Sequence, residues 1–340
     1  MTGTNDRFIN TIRMNAQLDR YEGAMLGVAI GDALGAPLEF MNAGEIQRKH
    51  GTVREMLGGG WLSVEPGEVT DDTQMTLAVA EGIAADGDNP YQMVGANFLR
   101  WFRTHPKDVG GCCAAVLSRM GRSDRIQLED WLDAAKAHDK ASNGGTAGNG
   151  ALMRAVYPAL YYQRDKALEA AVRIAQMTHW HKHSTLTVLY YTDAINTIVN
   201  SDLLSAEEAK EFAETKTADI RNMLPGDKVE PSGYCVSSLI CAMNAIRDTD
   251  SFEDALVAAV NMGGDADTIG AITGGLAGAI YGASSIPLRW VNSLANQPNR
   301  KTVQLFYQSG GAAQQGNANT LGIRLIDLAH LAYRHHEQVK

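Results

Sequence analysis

The stretch Asn261–Gly282, NMGGDADTIGAITGGLAGAIYG, decides the fold. It opens on Gly263-Gly264, places Asp265, Asp267 and Thr268 within four residues, and continues as a run of small residues. Gly270, Gly274, Gly278 and Gly282 recur at every fourth position, so on a helix they form a ridge without side chains. A glycine in a helix interior costs about 1 kcal/mol relative to alanine, and four of them need an offsetting contact. A second backbone lying very close would supply it. Gly23, Gly27, Gly31 and Gly35 in YEGAMLGVAIGDALGAPLEF have the same spacing, which predicts one tight helix pair. If the pair is antiparallel, Glu39, just past the first helix, comes near Asp265 and Asp267 at the start of the second.

Composition sets the class. With 340 residues, 45% hydrophobic content and 9 prolines, the chain can bury a large core. A formal net charge of -9 argues against a general nucleic-acid binder, because no basic excess exists to neutralise phosphates, although one local basic pocket stays open. The N-terminal residues MTGTNDRFINTIRMNAQ lack the apolar core of a signal peptide, and no apolar run is long enough to cross a bilayer. The expectation is a soluble cytoplasmic protein without a membrane partner. Cys112, Cys113, Cys235 and Cys241 have neither zinc nor redox spacing and read as buried free thiols.

In chain order the sequence reads as helix and loop. Residues 1–17 form a polar arm, read as a loose end. A helix is expected from Leu18 to about Leu34, stopped by Pro37. Further helices are expected over 74–85, 91–103, 112–121, 129–138, 165–178, 183–200, 205–223, 234–247, 251–260, 286–294 and 321–338. A glycine–asparagine loop feeds one more helix, which must kink or end near Pro158. A polar, glycine-rich loop is expected over 309–319. Alternating strand patterns are nearly absent and no composition shift marks a boundary, so the expected fold is all-α and single-domain.

Two acidic clusters stand before helices: Thr70-Asp71-Asp72-Thr73 and Asp265-Ala266-Asp267-Thr268. Either alone is explained by N-capping. A cap needs one oxygen side chain, however, and each cluster supplies two acids and a threonine. Carboxylates sharing a site repel one another unless a cation lies between them. An all-oxygen set suits magnesium, manganese or calcium better than zinc or copper. Two clusters could hold two ions with a shared carboxylate, about 3.5 to 4 Å apart in the general two-metal geometry.

A second constellation is Gly144-Gly145-Thr146-Ala147-Gly148-Asn149-Gly150. Glycine-rich turns before a helix expose amides able to hold phosphate oxygens, with Thr146 or Asn149 adding hydrogen bonds. From composition alone an ordinary flexible loop is the preferred reading. Arg154 reads equally as an anion partner or a structural salt bridge. In His179-Trp180-His181-Lys182-His183 the expectation is a loop with one useful histidine and two solvated ones. Asp108, between Pro106 and Gly110, reads by itself as a turn residue.

Taken together, GDALGAPLE (31–39), VTDDTQM (69–75), PKDVGG (106–111), GNGALMR (148–154), Thr178-His179 and GGDADTIGAITGGLAGAIYG (263–282) resemble the ADP-ribosylglycohydrolases of the dinitrogenase reductase-activating type. The resemblance spans roughly residues 20–290. It implies an all-α orthogonal helical bundle over residues 21–340, a hydrolase that removes ADP-ribose from modified proteins, and a binuclear magnesium or manganese centre. It implies Thr70, Asp71 and Asp72 as ligands of one ion, Glu39, Asp265 and Thr268 as ligands of the other, and Asp267 as the bridge. Gly145, Thr146, Gly148, Asn149 and His179 fall on positions that cradle the diphosphate and adjoining ribose. Asp108 matches an acid that lies beside the scissile bond in arginine-directed members.

This chain has valine at 109 where the family has isoleucine, and alanine at 266 where threonine is common. Its arm, residues 1–20, precedes the expected family core. The resulting expectation is hydrolysis of ADP-ribosyl-arginine, with Asp108 as acid or base and with Asp72 and Asp265 among the metal-bound carboxylates that stabilise an oxocarbenium-like state. Other classes remain open at this level. These are an immunity protein whose arm occludes an ADP-ribosyltransferase toxin, an inactive crystallin-like relative, and a magnesium-dependent phosphohydrolase.

Overall fold

The computed structural model describes residues 2–121, 127–201, 205–224, 229–294 and 321–339. Within them the chain forms α1 (Thr2–Gly35), α2 (Ala43–His50), α3 (Asp71–Ala85), α4 (Tyr91–Phe102), α5 (Gly111–Met120), α6 (Leu128–Ala141), α7 (Val156–Tyr161) and α8 (Arg164–Gln176). There follow α9 (Lys182–Asn200), α10 (Ala206–Arg221), α11 (Cys235–Arg247), α12 (Phe252–Val260), α13 (Ala266–Tyr281), α14 (Leu288–Leu294) and α15 (Leu321–Val339). Among the described residues the only β pairing is three isolated bridges, so the architecture is all-α as expected.

The two glycine ridges meet. A Cβ built on Gly31 would stand 1.9 Å from the carbonyl oxygen of Gly270, one on Gly27 2.0 Å from that of Gly274, and one on Gly23 2.4 Å from that of Gly278. Rising numbers on α1 pair with falling numbers on α13, so the helices are antiparallel. Gly35 faces the carbonyl of Ala266 instead of another glycine. Gly282 lies past the end of α13 with φ 79° and abuts Asp19, whose Oδ1 accepts from the amide of Ser284 at 2.8 Å. The remaining helices bury this pair. α15 lays Tyr333 edge-on to Tyr21 at 5.5 Å between ring centres, and Arg324 pairs with Glu81 of α3.

Pro37 ends α1 in a short 3-10 turn, Ala36–Leu38, and the chain then runs beside the loop before α13. The Phe40 amide donates to the Gly264 carbonyl and the Gly264 amide to the Met41 carbonyl, both at 2.7 Å. Such a close approach requires glycine: Gly264 has φ 66°, and a Cβ there would meet the Pro231 carbonyl at 1.8 Å.

Three expectations need correction. The first helix begins at Thr2 and runs unbroken through residue 18, so the arm shares the backbone of the ridge helix. The short helix α2 was not legible by periodicity; an Asn42–Glu45 capping box starts it. Pro158 neither kinks nor ends a helix. It lies in the first turn of α7, where its missing amide has no intrahelical partner to lose. The loop expected at 309–319 lies outside the described residues.

Candidate active site

The site grows from the helix pair. Because α13 starts where α1 ends, Glu39, Asp265 and Asp267 converge, with one oxygen of each lying within 4.8 Å of the others. Asp32, fully buried on α1, brings in the other acidic cluster. Its carboxylate accepts from the amide and hydroxyl of Thr70, at 3.0 and 2.9 Å, and from those of Thr73, at 3.0 and 2.5 Å. Four donors from the first turn of α3 thus close on one carboxylate, which fixes Asp71 and Asp72 against α13. The Thr268 hydroxyl donates to Asp72 Oδ2 at 3.3 Å. Asp71 accepts from the Gly110 amide at 3.4 Å and so ties down the loop that carries Asp108.

These acids line or underlie one cleft of about 720 Å³. Glu39, Asp71, Asp108, Asp265, Asp267 and Thr268 face it, whereas Thr70 and Asp72 lie buried beneath. Burial is the first cause of a raised proton affinity at every carboxyl there for which a shift is clear, and like charge adds to it. Burial lifts Glu39 to about 8 against a hydrogen bond from Trp61, with Asp108 and Asp265 adding to the rise. Burial followed by Asp108 and Asp32 lifts Asp71, burial followed by Asp32 and Asp71 lifts Asp72, and burial followed by Asp72 and Asp265 lifts Asp267, each well above the ordinary range. Asp108 is raised as well, mainly by burial.

Asp72 Oδ1 is buried with no hydrogen-bond partner. An orphaned carboxylate oxygen among several acids, with no histidine or cysteine in the set, is the environment a hard divalent cation satisfies. The residues present fit such an ion.

The glycine–asparagine loop contributes to the same cleft. Gly148, Asn149 and Gly150 line the cleft. Asn149 joins the loop to the acids by donating from Nδ2 to Asp265 Oδ2 at 2.8 Å. Gly145 and Thr146, expected here too, do not line it: Thr146 is buried, and its hydroxyl turns away to Asp139. His179 lines the cleft and is buried. The two other histidines are not simply solvated, since His181 caps α9 and His183 bonds the Tyr234 hydroxyl at 2.7 Å.

Sequence reasoning missed Asp32 and the rim residues Phe40 and Trp61. Asp32 stood inside the quoted GDALG run, but its four partners lie 38 and 41 positions away. Trp61 donates from Nε1 to Glu39 Oε2 at 2.5 Å, and its ring centre lies 5.3 Å from that of Phe40. Both rings are largely exposed, and Phe40 holds an unfavourable φ of 63°.

Residues 13–317 match the family model described as ADP-ribosylglycohydrolase. The chain belongs to the ADP-ribosylglycohydrolase family. The match begins at residue 13. Similar proteins include the ADP-ribosyl-[dinitrogen reductase] glycohydrolase of Rhodospirillum rubrum, 36% identical over 83% of this chain and 92% of the relative. The ADP-ribosylarginine hydrolase of Serratia proteamaculans is 31% identical over 86% of this chain and 80% of its own length. A solved structure, described as an ADP-ribosylglycohydrolase-related protein complex, superposes with a TM-score of 0.72 at 30% identity, covering 94% of this chain and 98% of that one. All four cysteines are free, as expected; Cys113, Cys235 and Cys241 are buried, whereas Cys112 is only partly so. No helix among the described residues is long and apolar enough to cross a membrane.

Proposed function

We propose that this chain is a metal-dependent hydrolase that removes ADP-ribose from modified protein side chains, with arginine as the linked residue. The supporting observation is one cleft lined both by carboxylates and by the Gly148–Gly150 loop. A phosphohydrolase would need the acids alone; the loop, bridged to them by Asn149, suits a ligand with a diphosphate next to a ribose. The named activities of the relatives point the same way, and the arginine linkage rests on the Serratia and Pseudomonas putida ADP-ribosylarginine hydrolases.

In this reading Glu39, Thr70, Asp71, Asp72, Asp265, Asp267 and Thr268 would hold two divalent cations, magnesium or manganese. When bound, the ions would orient the ribose hydroxyls and lower the pKa of a water toward neutrality. The chain's own part is electrostatic and acid–base. Buried carboxylates stabilise positive charge developing at the anomeric carbon. Water adds its oxygen to that carbon, the carbon–nitrogen bond breaks, and the departing guanidine takes a proton. Asp108, half-buried with raised proton affinity and set beside Asp71 at the cleft wall, is placed to exchange that proton.

The test measures ADP-ribose released from an arginine-ADP-ribosylated protein, with magnesium or with chelator, for the native chain, Asp267→Ala and Asp108→Ala. Magnesium-dependent release that Asp267→Ala abolishes supports the reading. Activity on serine-linked substrate alone would replace the linkage, and release of inorganic phosphate in place of ADP-ribose would sink the proposal.

A further inference from the structure

Arg154 is 1% exposed, and among the described residues its guanidinium donates to backbone carbonyls, a hydroxyl and two sulfurs, with no carboxylate among these partners. A buried cation without a counter-ion is costly, and its other contacts show what it organises. One guanidinium nitrogen, Nη1, donates to the Gly150 carbonyl at 2.8 Å. The other, Nη2, donates to the Thr178 hydroxyl oxygen at 2.6 Å. The Phe98 ring lies under the guanidinium carbon at 4.8 Å. Arg154 therefore grips the cleft loop with one hand and the residue before His179 with the other.

The direction of these bonds follows from donor inventory. A guanidinium only donates, so the Thr178 oxygen accepts and its single hydrogen remains to be given. His179 Nδ1 lies 2.8 Å from that oxygen. The other acceptor beside Thr178 is the Cys113 sulfur, which is a far weaker one. The hydroxyl hydrogen goes to the imidazole nitrogen. Nδ1 is then an acceptor, and a neutral imidazole carries its proton on Nε2, at the edge that lies beside Gly148 and Gly150.

We infer that Arg154 is a positioning residue: acting through Thr178, it holds His179 as the neutral Nε2–H tautomer, so that the ring donates a hydrogen bond at the cleft loop to a phosphate oxygen of ADP-ribose. The inference rests on reading this cleft as an ADP-ribose site. The opposite tautomer would present a bare nitrogen lone pair to an anion. Burial, and then the nearby Arg154 charge, push His179 down to about 3, so the ring stays neutral at working pH. The same cation polarises the Gly150 carbonyl, and its positive field favours an anion at the loop.

The test begins on the native chain without ligand, as two-dimensional NMR of nitrogen-15-labelled imidazoles reports the His179 tautomer directly. The expected signature is Nε2–H; finding Nδ1–H overturns the inference. Thr178→Val removes the relay, and Thr178→Ser restores a hydroxyl. The valine variant should lose the single tautomer and bind ADP-ribose about tenfold more weakly by calorimetry, and the serine variant should recover both. Arg154→Met should behave like the valine variant if it folds. An unchanged tautomer and affinity in Thr178→Val rejects the relay, and an altered tautomer with unchanged affinity rejects the donated bond. If the native chain shows Nε2–H but binds no ADP-ribose, the relay stands and the functional reading of the cleft fails.

Discussion

The carbonyl oxygen of Gly274 stands 2.0 Å from the place a methyl group on Gly27 would occupy, and the Gly27 carbonyl stands 1.9 Å from the matching place on Gly274. Neither helix has room for one added carbon at this crossing, because the obstacle is backbone and has no rotamer to change. The contact also carries the site, since the same pair of helices delivers Glu39 to Asp265 and Asp267.

Gly27→Ala and Gly274→Ala should each cost about 3 kcal/mol or more, since overpacking that cannot relax lies at the upper end of its usual range. Gly322→Ala on α15 meets nothing within 4 Å among the described residues and should be neutral or gain up to about 1 kcal/mol from helix propensity. Urea denaturation of the three variants checks this. Equal stabilities would mean that the ridges do not pack as closely as described.

Asp32→Asn keeps size but replaces one acceptor oxygen by an NH2 facing hydroxyl and amide donors. The expected loss is about 2 to 3 kcal/mol, from leaving buried donors unpaired. Because Asp32 sets the first turn of α3, the variant should also need more magnesium for half-maximal ADP-ribose release, by about tenfold. Circular dichroism melting and a magnesium titration separate the two effects. A lower melting point with an unchanged titration would make Asp32 a purely structural anchor.

The acids predict an unusual dependence on pH. A carboxyl whose folded-state pKa is raised contributes stability that is fully present below its ordinary value and is lost as pH rises through the raised one. Asp32 lies at about 6 and Glu39 at about 8, with Asp71, Asp72 and Asp267 shifted in the same direction. Metal-free protein should therefore melt at progressively lower temperature from about pH 4, the ordinary carboxyl range, to about pH 8, the raised value of Glu39. Magnesium should raise the melting temperature most at the alkaline end, where the ionised carboxylates repel most. A flat melting temperature in chelator would refute the linkage.

Residues 2–12 precede the family match, so deleting them should leave hydrolysis of free ADP-ribosyl-arginine unchanged. The same deletion addresses the immunity reading. If the arm occludes a transferase, the truncated chain should lose affinity for an arginine-specific ADP-ribosyltransferase by calorimetry. Binding that survives the truncation would remove residues 2–12 from that role.

Sequence by itself determined the helix pair and the acids. A ridge of Gly23, Gly27 and Gly31 repeats every fourth residue, and that period is a property of the α-helix, so it is written locally. The clusters at 70–73 and 265–268 were legible for a similar reason: adjacent carboxylates are costly wherever they fold, and their cost announces a use. What lay in three dimensions was different. Nothing local distinguishes Gly148 and Asn149, which line the cleft, from Gly145 and Thr146, which do not, because the outcome turns on Asp139 one helix away. Asp32 looked like one acid in a glycine helix until four donors from α3 closed on it. Arg154 was balanced between a salt bridge and an anion partner, and only packing decided that it has neither a carboxylate nor an open face, but a hydroxyl and a loop carbonyl. Hydrogen-bond direction and burial depend on which chain segments meet, and a linear pattern fixes that only where, as with the paired glycines, a single packing arrangement satisfies it.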